Sequence, residues 1–144
     1  MNPSHIEHIG IAVSDLESSI ALFEKIFGLK CYNIETVAEQ QVRTAFFKVG
    51  GTKIELLEST DPEGPISKFI AKRGEGIHHL AFAVRDVEEK LKLAEKEGIG
   101  IIDRVPRIGA EGLEIGFLHP RSTGGVLIEL CEDKQGAVPP ENLK

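Results

Sequence analysis

The stretch Ile6-Glu7-His8-Ile9-Gly10-Ile11-Ala12-Val13-Ser14-Asp15-Leu16 returns in the second half of the chain as Ile77-His78-His79-Leu80-Ala81-Phe82-Ala83-Val84-Arg85-Asp86-Val87. The superposition sets His8 on His79 and Asp15 on Asp86. Self-similarity of this kind is the mark of a duplicated supersecondary unit, in which each copy completes its core against the other. Behind each copy runs a stretch with helical spacing, carrying Leu16, Ile20, Phe23 and Phe27 in the first and Val87, Leu91 and Ala94 in the second. Apolar residues three or four apart predict an amphipathic helix in both places.

The helix ends agree with one another. Asp15 and Asp86 suit N-cap positions, Ser14 with Glu17 and Asp86 with Glu89 have the spacing of capping boxes, and Gly28 and Gly98 suit the left-handed residue that follows a helix. Extended segments are expected after each helix: 31–37, 43–49 and 53–58 in the first half, and 101–106, 113–119 and 126–131 in the second. Gly50-Gly51 and the run from Pro120 to Gly125 supply turns. Each half therefore reads βαβββ, and Lys53-Ile54-Glu55-Leu56-Leu57 superposes on Leu127-Ile128-Glu129-Leu130-Cys131, with Glu55 over Glu129.

The expected class is α+β in one domain spanning 1–144: two tandem βαβββ modules forming a pseudo-twofold curved mixed sheet around a metal-binding cavity. Module 1 covers about 5–58 and module 2 about 77–132. A linker occupies 59–76, in which Ile66, Phe69 and Ile70 predict a short helix over 65–73, and a loose tail occupies 133–144.

Side chains alternate across a strand, so His8, Gly10 and Ala12 share one face, as do His79, Ala81 and Ala83. A histidine followed by small residues leaves a space where large residues would fill a core. Glu55 and Glu129 sit among apolar neighbours, where an ionised carboxylate needs a partner. Two symmetric His and two symmetric Glu meeting about a pseudo-twofold axis would make an N₂O₂ set for a divalent ion. Cobalt, zinc, nickel, manganese and iron all suit such donors. His78 falls on the opposite strand face and reads as packing under a helix, while His5 and His119 read as surface or loop residues.

Composition narrows the function. A chain of 144 residues, 41% of them hydrophobic, can bury one core unaided. A net charge of −6 without a basic stripe, no tryptophan and one tyrosine argue against a nucleic-acid partner. No apolar run of about 18 residues occurs and the first residues lack a signal-peptide pattern, so no membrane association and a cytoplasmic location are expected. A matrix protein relieved of its transit peptide would read the same way. Cys31 and Cys131, the two cysteines, read as reduced structural thiols.

With these residues in place the sequence resembles the vicinal-oxygen-chelate superfamily (glyoxalase, bleomycin-resistance and dioxygenase proteins), and within it the methylmalonyl-CoA epimerases, from His5 to Glu132. The motifs that carry the resemblance are His8-Ile9-Gly10-Ile11-Ala12-Val13, Gly51-Thr52-Lys53-Ile54-Glu55-Leu56-Leu57-Glu58, Gly64-Pro65-Ile66-Ser67-Lys68-Phe69, Gly76-Ile77-His78-His79-Leu80-Ala81, Arg107-Ile108-Gly109-Ala110, and Phe117-Leu118-His119-Pro120 leading to Gly124-Gly125-Val126-Leu127-Ile128-Glu129-Leu130. The resemblance implies metal-dependent interconversion of (2R)- and (2S)-methylmalonyl-CoA in propionate metabolism, through a metal-stabilised enolate. It also implies an acyl-CoA thioester as substrate, a homodimer, metal ligands at His8, Glu55, His79 and Glu129, and cobalt ahead of zinc, nickel or manganese.

A proton shift with inversion needs an acid/base on each face of the planar enolate. Glu129 is the first candidate and Glu55 the second, with water as an alternative to Glu55. Some members of the family carry a further glutamate in the segment aligned with Arg43-Thr44-Ala45; this chain does not, and Glu39 lies nearby out of register. The nearest alternative function is a glyoxalase I-type lactoylthiol lyase acting on a hemithioacetal with the same ligands. A metal-dependent dioxygenase is disfavoured by a fourth ligand at Glu55, and a non-catalytic small-molecule-binding resistance protein by the complete His/Glu set.

Overall fold

A computed structural model of the chain describes residues 1–134. Of the tail expected over 133–144, only Asp133 and Lys134 belong to the described residues. Among these the strands are β1 (His5–Ala12), β2 (Asn33–Val37), β3 (Val42–Val49), β4 (Thr52–Ser59), β5 (Gly76–Ala83), β6 (Arg107–Ile108), β7 (Glu114–Leu118) and β8 (Ile128–Glu132). The α-helices are α1 (Leu16–Phe27), α2 (Pro65–Arg73) and α3 (Val87–Lys96), so the α+β class holds. No helix of the described residues is long and apolar enough to cross a membrane.

The chain divides into two compact units, Ile9–His78 and Met1–His8 together with the chain from His79 onward. The divisions fall inside β1 and β5, within the two sequence repeats and not in the linker that joins them.

In the first unit the strand order is β2-β3-β4-β1, with β2, β3 and β4 antiparallel neighbours. Leu16 is fully buried with Val13, Ala45, Phe47 and Leu56, and Ile11, Ile20 and Phe23 pack against this cluster. That is the apolar face predicted for α1, except that Phe27 at its last turn is exposed. Arg43 of β3 reaches the same side of the sheet and pairs with Glu17 of α1 and with Glu58 of β4. In α2, Pro65 occupies the first turn, where its missing N–H costs nothing. Ile66 of α2 is buried.

In the second unit β5 runs parallel to β8, and β8, β7 and β6 follow antiparallel. Val87, Leu91 and Ala94 of α3 close on Val84, Leu118 and Leu130. Gly116 of β7 lies so close beneath α3 that a Cβ there would stand 2.7 Å from Leu91 Cδ1.

The repeat is visible in matching hydrogen bonds. Val13 N donates to Leu57 O at 2.9 Å in one unit, and the equivalent Val84 N donates to Cys131 O at 2.9 Å in the other. Asp15 and Asp86 cap their helices through Ser18 N and Glu89 N, and Gly28 and Gly98 take positive φ after them. Both cysteines are free thiols.

Two expectations are corrected. Ser14 and Glu17 form no capping box: the Ser14 amide donates to Glu75 and the Glu17 carboxylate is taken by Arg43, a stronger, charged partner. Asp86 accepts from Glu89 N as expected, but its own amide donates to Glu132. The segment 101–106 is not a strand beyond one bridge from Ile101 to Leu118. The Asp103 carboxylate accepts from Phe117 N at 2.8 Å, capturing a donor that a ladder would use, and Pro106 has no N–H to contribute. Pairing resumes only in the two residues of β6.

Candidate metal centre

Alternation along β1 buries His8, Gly10 and Ala12 and leaves Glu7, Ile9 and Ile11 partly exposed. Along β5 it buries His79 and Ala81. In the parallel pair β5/β8, Ala81 lies beside Glu129, and in β7/β8 Glu129 lies beside Phe117. Residues paired across strands project to the same side of a sheet, so Glu129 emerges on the face that carries His79, two residues from Ala81. The small side chain of Ala81 leaves the carboxylate room to reach it. The His79 ring meets the edge of Phe117 with centroids 5.8 Å apart.

Three buried side chains converge here. His8 Nε2 and His79 Nε2 are 3.1 Å apart. Glu129 Oε2 is 3.5 Å from His8 Nε2, and its Oε1 is 3.4 Å from His79 Nε2. His8, His79 and Glu129 are each only 4% exposed, so solvent does not screen the group. Burial alone would raise the proton affinity of the Glu129 carboxyl. The charge and hydrogen bond of His8, with the charge of His79, outweigh it and hold the carboxyl below the usual carboxylate range. His8 Nδ1 is engaged on its other side, 2.6 Å from Glu7 Oε1.

The donor set fits a first-row divalent ion. Two atoms each roughly 2.1 Å from such an ion stand about 3.0–3.4 Å apart at octahedral to tetrahedral angles, close to the observed separations of 3.1, 3.4 and 3.5 Å. Two imidazole nitrogens and carboxylate oxygen are also borderline donors of the kind that such ions select.

Glu55 lies on β4 in the other unit. It is buried, and it pairs with Phe46 of β3 as Glu129 pairs with Phe117 of β7. The segment Arg43-Thr44-Ala45 provides no acid/base: Arg43 is paired to Glu17, Thr44 Oγ1 donates to Glu35 O at 3.3 Å, and Ala45 is core. Glu39 is exposed in a 3₁₀ turn over Ala38–Gln40. His78 packs edge-on against Phe69 of α2, centroids 5.0 Å apart, as its strand face predicts. His5 Nδ1 meets Ser4 Oγ, and His119 Nδ1 accepts from Arg121 N in the turn before β8.

Sequence reasoning passed over Glu7. Its place next to His8 assigns it to the opposite strand face, and only the length of its side chain brings the carboxylate to the imidazole.

The sequence model of the Glyoxalase/Bleomycin resistance protein/Dioxygenase superfamily matches residues 7–117. An uncharacterized Bacillus subtilis protein, YqjC, is 42% identical over 91% of this chain and 94% of its own. The mitochondrial methylmalonyl-CoA epimerase of Dictyostelium discoideum is 38% identical over 88% of this chain and 77% of its own. A variant of Streptomyces coelicolor methylmalonyl-CoA epimerase, solved in complex with 2-nitronate-propionyl-CoA, matches with a TM-score of 0.91 and 34% identity, covering 96% of this chain and 100% of that one. The chain thus belongs to the Glyoxalase/Bleomycin resistance protein/Dioxygenase superfamily and, within it, to the family of the methylmalonyl-CoA epimerases, which are isomerases.

Proposed function

We propose that this protein interconverts (2R)- and (2S)-methylmalonyl-CoA by removing and returning the proton α to the thioester. The observation that carries the reading is the convergence of His8 Nε2, His79 Nε2 and the Glu129 carboxylate within 3.5 Å in a buried place. It joins the family membership, which supplies the epimerase chemistry and the acyl-CoA substrate class.

His8, His79 and Glu129 would hold a divalent cation, cobalt ahead of zinc, nickel or manganese. Glu55, the repeat counterpart of Glu129, is proposed as the fourth ligand. When bound, such a cation supplies Lewis-acid stabilisation of the negative charge that develops on the thioester oxygen.

The side chains account for the proton. A Glu129 carboxylate oxygen takes the α-proton; the C–H electron pair moves into the enolate, leaving the α-carbon planar. Return of a proton to the same face regenerates the starting epimer. Delivery to the opposite face gives the other epimer, and we assign that step to Glu55 starting as the carboxylic acid; proton exchange with water then returns Glu129 to carboxylate and Glu55 to acid. The Nε2 atoms of His8 and His79, 3.5 and 3.4 Å from its oxygens, orient the Glu129 carboxylate. The reading includes a homodimer in the cytoplasm, the former checked by light scattering.

The deciding experiment follows α-deuterium incorporation into methylmalonyl-CoA in heavy water. It compares metal-free protein, cobalt-loaded protein and a Glu129→Gln variant. Metal-dependent exchange with interconversion of epimers, reduced about 10²–10⁴-fold in the variant, is expected of an acid/base at that position. Absence of exchange in folded, cobalt-loaded protein overturns the reading, and thiol-dependent turnover of methylglyoxal would then identify the lactoylthiol lyase.

A further inference from the structure

We propose that Glu7 is a positioning residue for the metal centre, holding His8 in the tautomer and orientation that bind the ion. Its Oε1 lies 2.6 Å from His8 Nδ1, and the side chain is only 13% exposed. A carboxylate can only accept, so Nδ1 carries the hydrogen of this bond, and in the neutral ring the lone pair is then on the other nitrogen, Nε2. That nitrogen is the one 3.1 Å from His79 Nε2 and 3.5 Å from Glu129. The inference rests on the metal-binding reading above.

The contact is built, not incidental. Neighbours along a strand project to opposite faces, and Glu7 must curl back to meet the ring beside it. Without an acceptor the ring could place its hydrogen on either nitrogen, and a hydrogen on Nε2 blocks ligation. A negative partner on Nδ1 also raises the donor strength of Nε2, as carboxylates behind ligating histidines generally do. The contact is too short to admit a cation between Glu7 and His8, although Cys131 brings a third potential ligand atom within 4.8 Å of both. The repeat does not supply the device twice: at the position equivalent to Glu7 stands His78, whose ring packs on Phe69.

Cobalt binding by the full chain tests this, measured by competition with a chelator for wild type, Glu7→Gln and Glu7→Met. Glutamine keeps an acceptor without the charge; methionine keeps the length and removes the acceptor. The expected order of affinity is wild type, then Glu7→Gln, then Glu7→Met, the last weaker by about 10–100-fold. In the metal-free proteins the imidazole ¹⁵N shifts of His8 should report Nδ1–H in wild type and a mixture of tautomers in Glu7→Met, a change that a merely structural side chain would not produce. Equal cobalt affinity in all three proteins, within about twofold, overturns this inference alone. Failure of wild type itself to bind cobalt overturns the metal reading and this inference with it.

Discussion

His8 and His79 face one another through their Nε2 atoms at 3.1 Å, with ring planes perpendicular. Two such nitrogens can share one proton or one cation, but two protons in that gap would repel and two bare lone pairs would leave buried polar atoms facing each other. A bound divalent ion removes the conflict, and its binding energy adds to folding. Cobalt at about a hundredfold excess over its dissociation constant should raise stability by about 2.7 kcal/mol. His79→Ala is expected to abolish that increment. Thermal melts with and without cobalt check it, and an unchanged wild-type midpoint would refute a metal in this position.

Glu129 is held below the usual carboxylate range because the imidazoles outweigh the burial that opposes its charge. In metal-free protein its ionised form therefore contributes stability that is complete above the unfolded carboxyl value, about 4.3, and is lost as pH falls through the lower folded value. The slope of stability against pH below that value should flatten in Glu129→Gln. Urea midpoints between about pH 6 and about pH 3 measure it. Parallel acid limbs for the two proteins would show that Glu129 is not coupled to the histidines.

Asp15 and Asp86 cap equivalent helices from different backbone conformations. Asp15 is extended at φ −136°, whereas Asp86 is left-handed at φ 56°. Asp15→Ala should cost about 1 kcal/mol through loss of the bond to Ser18 N. Asp86→Ala should cost roughly 1 kcal/mol more, because alanine lacks the side chain that makes the left-handed region tolerable. Asp86→Gly should recover most of the difference. Urea unfolding ranks the three, and equal costs for both alanine variants would contradict the backbone argument.

Leu91 and Gly116 are fitted to each other. Leu91 is fully buried, so Leu91→Ala should destabilise by about 2–5 kcal/mol. Gly116→Ala would put a Cβ 2.7 Å from Cδ1 of the buried Leu91, so that side chain has to shift. The double variant is expected to be less destabilised than the sum of the single ones, since each change makes room for the other. Strict additivity in a double-mutant cycle would show that α3 and β7 do not share this contact.

Much of the fold was legible because its signals are local and duplicated. The aspartate caps, the glycines after the helices and the stripe Val87, Leu91 and Ala94 depend on short-range geometry and were read correctly from spacing. The strand faces of His8 and His79 followed from alternation, and both residues are buried as that rule predicts. The segment 101–106 was misread because Ile101 and Ile102 resemble strand residues, while the competing claim of Asp103 on the Phe117 amide comes from a strand remote in sequence.

The candidate site divides along the same line. Residue types and their repetition, His8 with His79 and Glu55 with Glu129, are properties of the sequence, and they are what suggests a donor set. Separations of 3.1–3.5 Å among His8, His79 and Glu129 depend on strand pairing between residues far apart in the chain, which no local pattern encodes. The turn of Glu7 back onto His8 runs against strand alternation altogether, and so could be found only by seeing where a long side chain comes to rest once the fold has closed around it.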